Sequence, residues 1–207
     1  GIFGALPFYF CEDFAPFVDA FFESVSGFTT TGSSVMTNIE GAPKGILFWR
    51  SLIQWMGGLG IIVLSIAILP FLGVGGMQLF RAEVPGPTAV KLVPRVATTA
   101  RTLWLLYAAI TLAEVILLMF GGIDWFNAVC HAFATMATGG FSTRDVSIES
   151  YATLAGYSHV WIEWVITLFM FMAGVNFALH FAALRRGLRG YWRDTEFRVY
   201  LVIVLFA

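Results

Sequence analysis

The stretch Asp19-Ala-Phe-Phe-Glu-Ser-Val-Ser-Gly-Phe-Thr-Thr-Thr-Gly-Ser-Ser34 occurs a second time as Asn127-Ala-Val-Cys-His-Ala-Phe-Ala-Thr-Met-Ala-Thr-Gly-Gly-Phe-Ser142. The two align without a gap at an offset of 108 residues, so that Ala20 falls on Ala128, Thr30 on Thr138, Gly32 on Gly140 and Ser34 on Ser142. Each copy is an apolar segment running into a Thr/Gly-rich stretch, and a long apolar segment follows each. A helix of roughly ten residues is ~15 Å long, about half the ~30 Å hydrocarbon thickness of a bilayer. Half-length helices ending in small residues build re-entrant loops inside membrane proteins. Repetition of the unit sets the architecture.

Composition points the same way. The chain of 207 residues is 58% hydrophobic and 12% charged, with mean hydropathy +0.81; typical soluble domains are roughly 45–50% apolar and about 25% charged. A chain of this length cannot hide so much apolar side chain from water. Cys11 and Cys130 lie far apart with no C-x-x-C spacing, which argues against a zinc site or a disulfide framework. Gly1–Phe10 is apolar without a basic leading region, so it reads as the end of a span rather than a signal peptide. The chain reads as a fragment that starts inside one span and stops inside another.

The expected fold is all-α and integral to the membrane, with tandem span–pore helix–span repeats and re-entrant loops. Residues 1–72 form a first repeat: the end of an outer span, a pore helix with its loop over 15–34, and an inner span over 45–72. Residues 73–101, with Pro85, Pro87 and Pro94, read as a cytoplasmic loop holding a short helix. Residues 102–184 form the second repeat: a span over 102–120, a pore helix and loop over 124–143, and a span over 158–184. A basic cytoplasmic loop over 185–196 precedes 197–207, the start of a third repeat.

Charge sets the orientation. Arg81, Lys91, Arg95, Arg101, Arg185, Arg186, Arg189, Arg193 and Arg198 lie in or beside the two long loops, nine of twelve Lys+Arg. The positive-inside rule makes that side cytoplasmic. The opposite face carries Glu12, Asp13, Asp19, Glu23, Glu40, Asp124, Asp145 and Glu149. Acids around an outer mouth concentrate cations, an effect weakened by salt; outer loops also simply tolerate acids.

The Thr/Gly stretches suit ion coordination. A half-helix that stops mid-membrane presents the partial negative charge of its C-terminal end, which favours a cation. An extended return strand can aim successive carbonyl oxygens at one axis and replace water around an alkali ion. Glycine permits the backbone angles that this requires. One isolated Thr/Gly cluster reads as an ordinary turn; two at matched positions read as a filter.

These residues resemble a known family. Ser26-Gly-Phe-Thr-Thr-Thr-Gly-Ser33, Gln54-Trp-Met-Gly-Gly-Leu-Gly-Ile61, Leu72-Gly-Val-Gly-Gly-Met-Gln-Leu79, Arg81-Ala-Glu-Val-Pro-Gly-Pro87, Gly139-Gly-Phe-Ser-Thr143 and Tyr191-Trp-Arg-Asp-Thr-Glu-Phe197 carry the likeness across nearly the whole chain. The chain resembles the Trk/Ktr/HKT superfamily of potassium transporters, most closely its bacterial Trk-type uptake branch. The resemblance implies a potassium-channel-like pore of four repeats in one chain, each giving one filter glycine, and potassium uptake across the bacterial inner membrane. By position Gly32 and Gly140 match those glycines. Thr30, Thr31, Thr138, Gly139 and Phe141 match the carbonyl-bearing strand, with K+ at Thr30, Thr31, Gly32, Thr138, Gly139 and Gly140. The resemblance further implies a homodimer, the remaining repeats of the same pore, surrounding lipid, and a cytosolic nucleotide-binding RCK-type regulatory subunit. It implies K+ as cargo with no organic cofactor, no nucleic-acid partner and no enzymatic activity. Two departures stand out: the chain holds about two of the four repeats, and its second loop reads Thr-Gly-Gly-Phe, keeping only part of the first loop's pattern. The family's gating loop falls in the third repeat, beyond Ala207.

Other residues have structural readings. Gly57, Gly58 and Gly60 suit close helix packing more than a hinge. Asn176 inside a span is expected to hydrogen-bond a loop or line a cavity, and Glu114 to hydrogen-bond a neighbouring helix. Arg50, one turn from Gln54, can snorkel or pair with Glu23. His131 occupies the place of Glu23 and is expected to pack behind its loop. His159 and Glu163 have i,i+4 spacing without a third metal ligand, and Gly73-Val-Gly-Gly lacks the ending of a phosphate loop. Two alternatives remain at this point: a secondary transporter with a midplane substrate site, and a structural membrane subunit.

Overall fold

The computed structural model describes residues 1–11, 16–68, 92–154, 156–187 and 189–206, with the backbone alone at 61–68, 92–99, 185–186 and 189. Glu12, Asp13, the inner end of the first span over 69–72, the Gly73-Val-Gly-Gly motif, the loop prolines Pro85 and Pro87, and the basic Arg81 and Lys91 lie outside the described residues. Among the described residues the fold is helical, with no strand.

Helix α1 (Ile2–Tyr9) packs on α2 (Phe17–Phe28), and α2 on the long α3 (Lys44–Ile68). Helix α4 (Leu92–Phe120) packs on α5 (Trp125–Met136), and α3 in turn on both α4 and α5. The two short helices, α2 and α5, are each 12 residues long. They begin and end at positions related by the same 108-residue offset that the sequence shows, Phe17 to Trp125 and Phe28 to Met136. Each stops where its Thr/Gly stretch begins.

The caps explain both starts. Pro16 precedes α2 in an extended conformation, and Asp19 in its first turn complements the positive helix end. Asp124 caps α5, its Oδ2 accepting from the Asn127 amide at 3.2 Å and its Oδ1 from the Asn127 side chain at 2.6 Å. Desolvation pulls the exposed Asp124 carboxyl upward, but these hydrogen bonds outweigh it and hold its pKa below the ordinary carboxylate value. Stabilisation from the charged cap is therefore complete at neutral pH and is lost as pH falls through that lowered pKa. Asp124→Ala is expected to cost about 1 kcal/mol, read as a lower Tm of the full-length protein in detergent; an unchanged Tm contradicts the assignment.

Helix α4 is the single helix among the described residues that crosses a membrane by length and composition alone, over Ala100–Phe120. It starts at Leu92 rather than at Thr102, so the loop expected over 73–101 gives way to helix earlier. Pro94 sits in its first turn, where a missing N–H leaves no bond unmade.

The stretch expected as a span over 158–184 is broken in its middle. It is two helices, α7 (His159–Gly174) and α8 (Phe177–Arg186), the first at 97° to the axis of Phe177–Leu184. A short 3-10 turn (Ser147–Glu149) and α6 (Ser150–Thr153) precede them. Val175 is extended, and the Asn176 side chain caps α8 by accepting from the Ala178 amide at 3.0 Å. Asn176 thus caps α8 at the break and also lines a cavity of about 410 Å3 there, with Gly174, Thr195 and Tyr200. His180 locks the corner through the Met172 carbonyl at 2.8 Å and the Tyr191 hydroxyl at 2.6 Å. The basic segment forms a further short helix, α9 (Arg189–Arg193), before α10 (Thr195–Phe206).

The larger apolar core gathers Tyr107, Leu118, Ala132, Ile162 and Phe169 between α4, α5 and α7. A smaller one joins Ala5, Phe8, Ala20 and Ile53. Helix α3 bridges them, since Ile53 belongs to the second while Trp55 packs against the first.

Candidate functional site

The C-terminal ends of α2 and α5 are built alike, bond for bond. Thr30 N–H donates to the Gly27 carbonyl and Thr31 N–H to that of Ser26, both at 2.9 Å. In the second copy Thr138 N–H donates to Thr135 at 2.9 Å and Gly139 N–H to Ala134 at 3.0 Å. This is the paired-bond cap that glycine usually completes in a left-handed conformation. Here a threonine takes that place both times, with φ 55° at Thr30 and 53° at Thr138. A β-branched residue there is an outlier, costing about 1–3 kcal/mol, and such strain clusters at functional sites. Two residues on, Gly32 and Gly140 are again left-handed, at φ 77° and 84°. Thr31 and Gly139 between them are not, so the backbone alternates in the same way in both loops.

Hydrogen bonding then fixes where the carbonyls face. Across a trans peptide the N–H and the preceding C=O point oppositely. Because Thr31 and Gly139 turn their N–H groups back to the helices, the Thr30 and Thr138 carbonyls point away from them. Phe141 N–H donates to Gln54 Oε1 at 3.1 Å, so the Gly140 carbonyl points away from Gln54. The two loops also meet, since a Cβ on Gly32 would run into the Gly139 carbonyl.

One face of α3 holds both loops. Arg50, Ile53, Gln54 and Gly57 recur at i, i+3, i+4 and i+7. Gly57 lies so close to the Phe28 carbonyl that a Cβ there would collide with it. Gly58 fits against Ala137 and the Tyr107 hydroxyl. Close packing is thus the role of Gly57 and Gly58, one at the end of each short helix; around Gly60 there is open space.

Above the glycines sits a buried ion pair. Arg50 Nε donates to Glu23 Oε1 at 2.7 Å, with Arg50 1% and Glu23 0% exposed. Glu23 also accepts from the Ser34 hydroxyl at 2.9 Å and the Val35 amide at 3.1 Å. Arg50 reaches the other loop, donating to the Ser142 carbonyl at 3.0 Å and lying 4.2 Å over the Phe141 ring. A desolvated cation over a ring is worth about 2 kcal/mol or more. The pairing of Arg50 with Glu23 is one of the two roles read for Arg50 from the sequence. Glu23 as an acid at the outer mouth is corrected, because its charge is enclosed and neutralised. Glu40 and Asp145 are also engaged, by Arg144 at 3.1 Å and by the Ile39 amide at 2.6 Å.

The second loop is braced differently at the position of Glu23. His131 is buried and hydrogen-bonded to the Tyr151 hydroxyl at 3.0 Å, while Thr143 donates to Asn127. Packing behind the loop is what His131 does. A cavity of about 170 Å3 lies beside this loop, with His131, Thr135, Thr138 and Gly140 among its lining. Glu114 is buried against Thr135 of the neighbouring α5, the side on which its partner is expected, although its carboxyl oxygens fall short of hydrogen-bond geometry among the described residues. The Thr135 hydroxyl donates to the His131 carbonyl instead, at 2.8 Å.

Of the residues singled out for ion coordination, Gly32 and Gly139 come into contact across the loops. Thr31, Thr138 and Gly140 are exposed, Thr30 is half-buried, and the Phe141 ring is buried beneath Arg50. Gln54 as the partner of Phe141 was missed. Its signal was a polar residue on the Arg50 stripe of an otherwise apolar helix.

Two half-helices with matched strained loops, clasped by one long helix in an apolar chain, define a helical membrane protein built on an internal duplication. The chain matches the TrkH family, described as "Cation transport protein", over residues 4–206. It belongs to that family, which is not an enzyme class, and is a multi-pass chain of the bacterial inner membrane. It is 50% identical over 204 residues to the Trk system potassium uptake protein TrkH of Escherichia coli K12, covering 97% of this chain and 41% of that protein. It is 39% identical to the potassium uptake protein TrkG of the same organism, covering 91% and 38%. The crystal structure of the potassium transporter TrkH from Vibrio parahaemolyticus superposes with a TM-score of 0.75 at 38% identity, over 92% of this chain and 37% of that one. The chain therefore spans about two fifths of the length of the curated relatives it matches.

Proposed function

We propose that this chain supplies two of the four loops of a potassium-selective pore, and that the whole protein takes up K+ across the inner membrane. Backbone carbonyls of Thr30, Thr31, Gly32, Thr138, Gly139 and Gly140 are the ion ligands in this reading. The observation that carries it is the matched alternation, Thr30 and Gly32 against Thr138 and Gly140, at the ends of two half-helices that meet. Such a strand holds carbonyls turned from the helix ends without any induced fit, and the negative helix termini behind it favour a cation without a formal charge. Lacking a fixed carboxylate at the ligands, the site binds a monovalent ion weakly enough to release it. The remaining repeats of the same pore complete the ligand ring.

A secondary transporter with a midplane site has two observations in its favour, the break between α7 and α8 and the cavity of about 410 Å3 beside it. Against it, the polar side chain at that break, Asn176, is engaged in the helix cap. Radiotracer rubidium uptake by the full-length protein, with sodium as competitor, tests the pore reading. Uptake that resists a large sodium excess is expected; uptake suppressed equally by both ions, or none at all, overturns it.

A further inference from the structure

We infer that Gln54 is a positioning residue for ion discrimination: from the first repeat's helix it sets the carbonyl of Gly140 in the second repeat's loop. The inference rests on the pore reading and deepens it. Gln54 is 0% exposed. Its Oε1 accepts from the Phe141 amide, the other end of the peptide whose carbonyl belongs to Gly140. Rotating that peptide toward or away from the axis requires breaking this bond. Among the described residues nothing else at Gly140 restrains it sterically, since a Cβ there would have no neighbour within 4 Å. A glycine at φ 84° with room around it is free to swing. Gln54 removes that freedom.

The cost of the arrangement shows that the acceptor matters. Gln54 Nε2 is buried with no hydrogen-bond partner among the described residues, and an orphaned buried donor destabilises a fold. Turning the amide over would leave the Phe141 N–H without its acceptor. The side chain also wedges against Gly139, where any Cβ would collide with it. Arg50, one turn away, seats the carbonyl of Ser142, two residues on, and covers the Phe141 ring. The Gly140–Phe141 peptide is thereby gripped by Gln54, and the strand that follows by Arg50.

The test is rubidium-over-sodium discrimination by the full-length transporter, normalised to the amount of folded protein in the membrane. Gln54→Leu removes the acceptor, and discrimination is expected to fall roughly tenfold, the size of effect seen when an outer partner of a metal ligand is lost. Gln54→Glu keeps an acceptor oxygen in the same place and is expected to retain discrimination. A purely structural role predicts lower abundance with an unchanged ratio, and that result for Gln54→Leu overturns the inference. Loss of discrimination in Gln54→Glu overturns it as well. Should Gln54→Leu not accumulate, Gln54→Glu decides alone. Gly140→Ala in the same assay separates the two levels. If it shifts discrimination and Gln54→Leu does not, only this inference fails; if it leaves discrimination unchanged, the pore reading fails and this inference with it.

Discussion

Gly32→Ala is expected to lower rubidium-over-sodium discrimination of the full-length transporter by at least about tenfold, and by more than Gly140→Ala does. Both glycines are left-handed, so alanine at either position takes on about 1–2 kcal/mol of backbone strain. Their surroundings differ. At Gly140 the added methyl meets no atom among the described residues, whereas at Gly32 it drives into the Gly139 carbonyl of the other loop. That oxygen is backbone, one residue past the cap at the end of α5, and cannot step aside as a flexible side chain can. Overpacking of this kind adds about 1–3 kcal/mol. The displaced oxygen is itself one of the proposed ligands, so the strain appears as altered ion preference as well as lost stability. One factor of ten corresponds to about 1.4 kcal/mol, well within the combined cost. Equal effects at the two glycines, measured as discrimination per folded molecule, contradict the contact between the loops.

That asymmetry could not be read from the sequence, where Gly32 and Gly140 are equivalent members of a repeat. The repeat itself was legible, because gapless self-similarity survives without any structure, and both short helices fall on it residue for residue. The ends of those helices were legible too, from Asp124 at one start and the Thr/Gly stretches at the stops. Three features were not. The break at Val175–Asn176 lies in a run whose hydropathy never drops for long, and one asparagine carries the whole signal through its cap. The left-handed threonines contradict the intrinsic preference of a β-branched residue, as functional positions do when tertiary structure overrides local rules. The bond from Gln54 to Phe141 spans 87 residues, and periodicity names the face of a helix without naming what it meets. Arg50 and Glu23 fell between these cases. Opposite charges in apolar segments demand each other, so the partner could be guessed, but not that the pair would hold both loops.

Glu23→Ala is expected to destabilise the full-length protein by about 3–5 kcal/mol, the cost of stranding a buried charge. Three donors lose their acceptor together, Arg50 Nε, the Ser34 hydroxyl and the Val35 amide, and a shift of Arg50 would also release the Ser142 carbonyl. Half-buried Arg144 and exposed Glu40 provide the control, since removing a surface pair of this sort costs about 0–1 kcal/mol. Glu23→Gln retains an acceptor for Arg50 but gives up the charge, and its loss falls between the two. The second copy shows that the fold does not need a charge at this position. There His131 is satisfied by Tyr151, and the nearby Arg144 lies over the Tyr151 ring instead of pairing with it as Arg50 pairs with Glu23. What cannot be tolerated is one half of the pair without the other. Thermal unfolding in detergent, comparing Glu23→Ala with Glu40→Ala, measures the difference directly. A Tm for Glu23→Ala as high as that for Glu40→Ala means that Arg50 finds water, and that the clasp on the two loops is looser than the bond lengths imply.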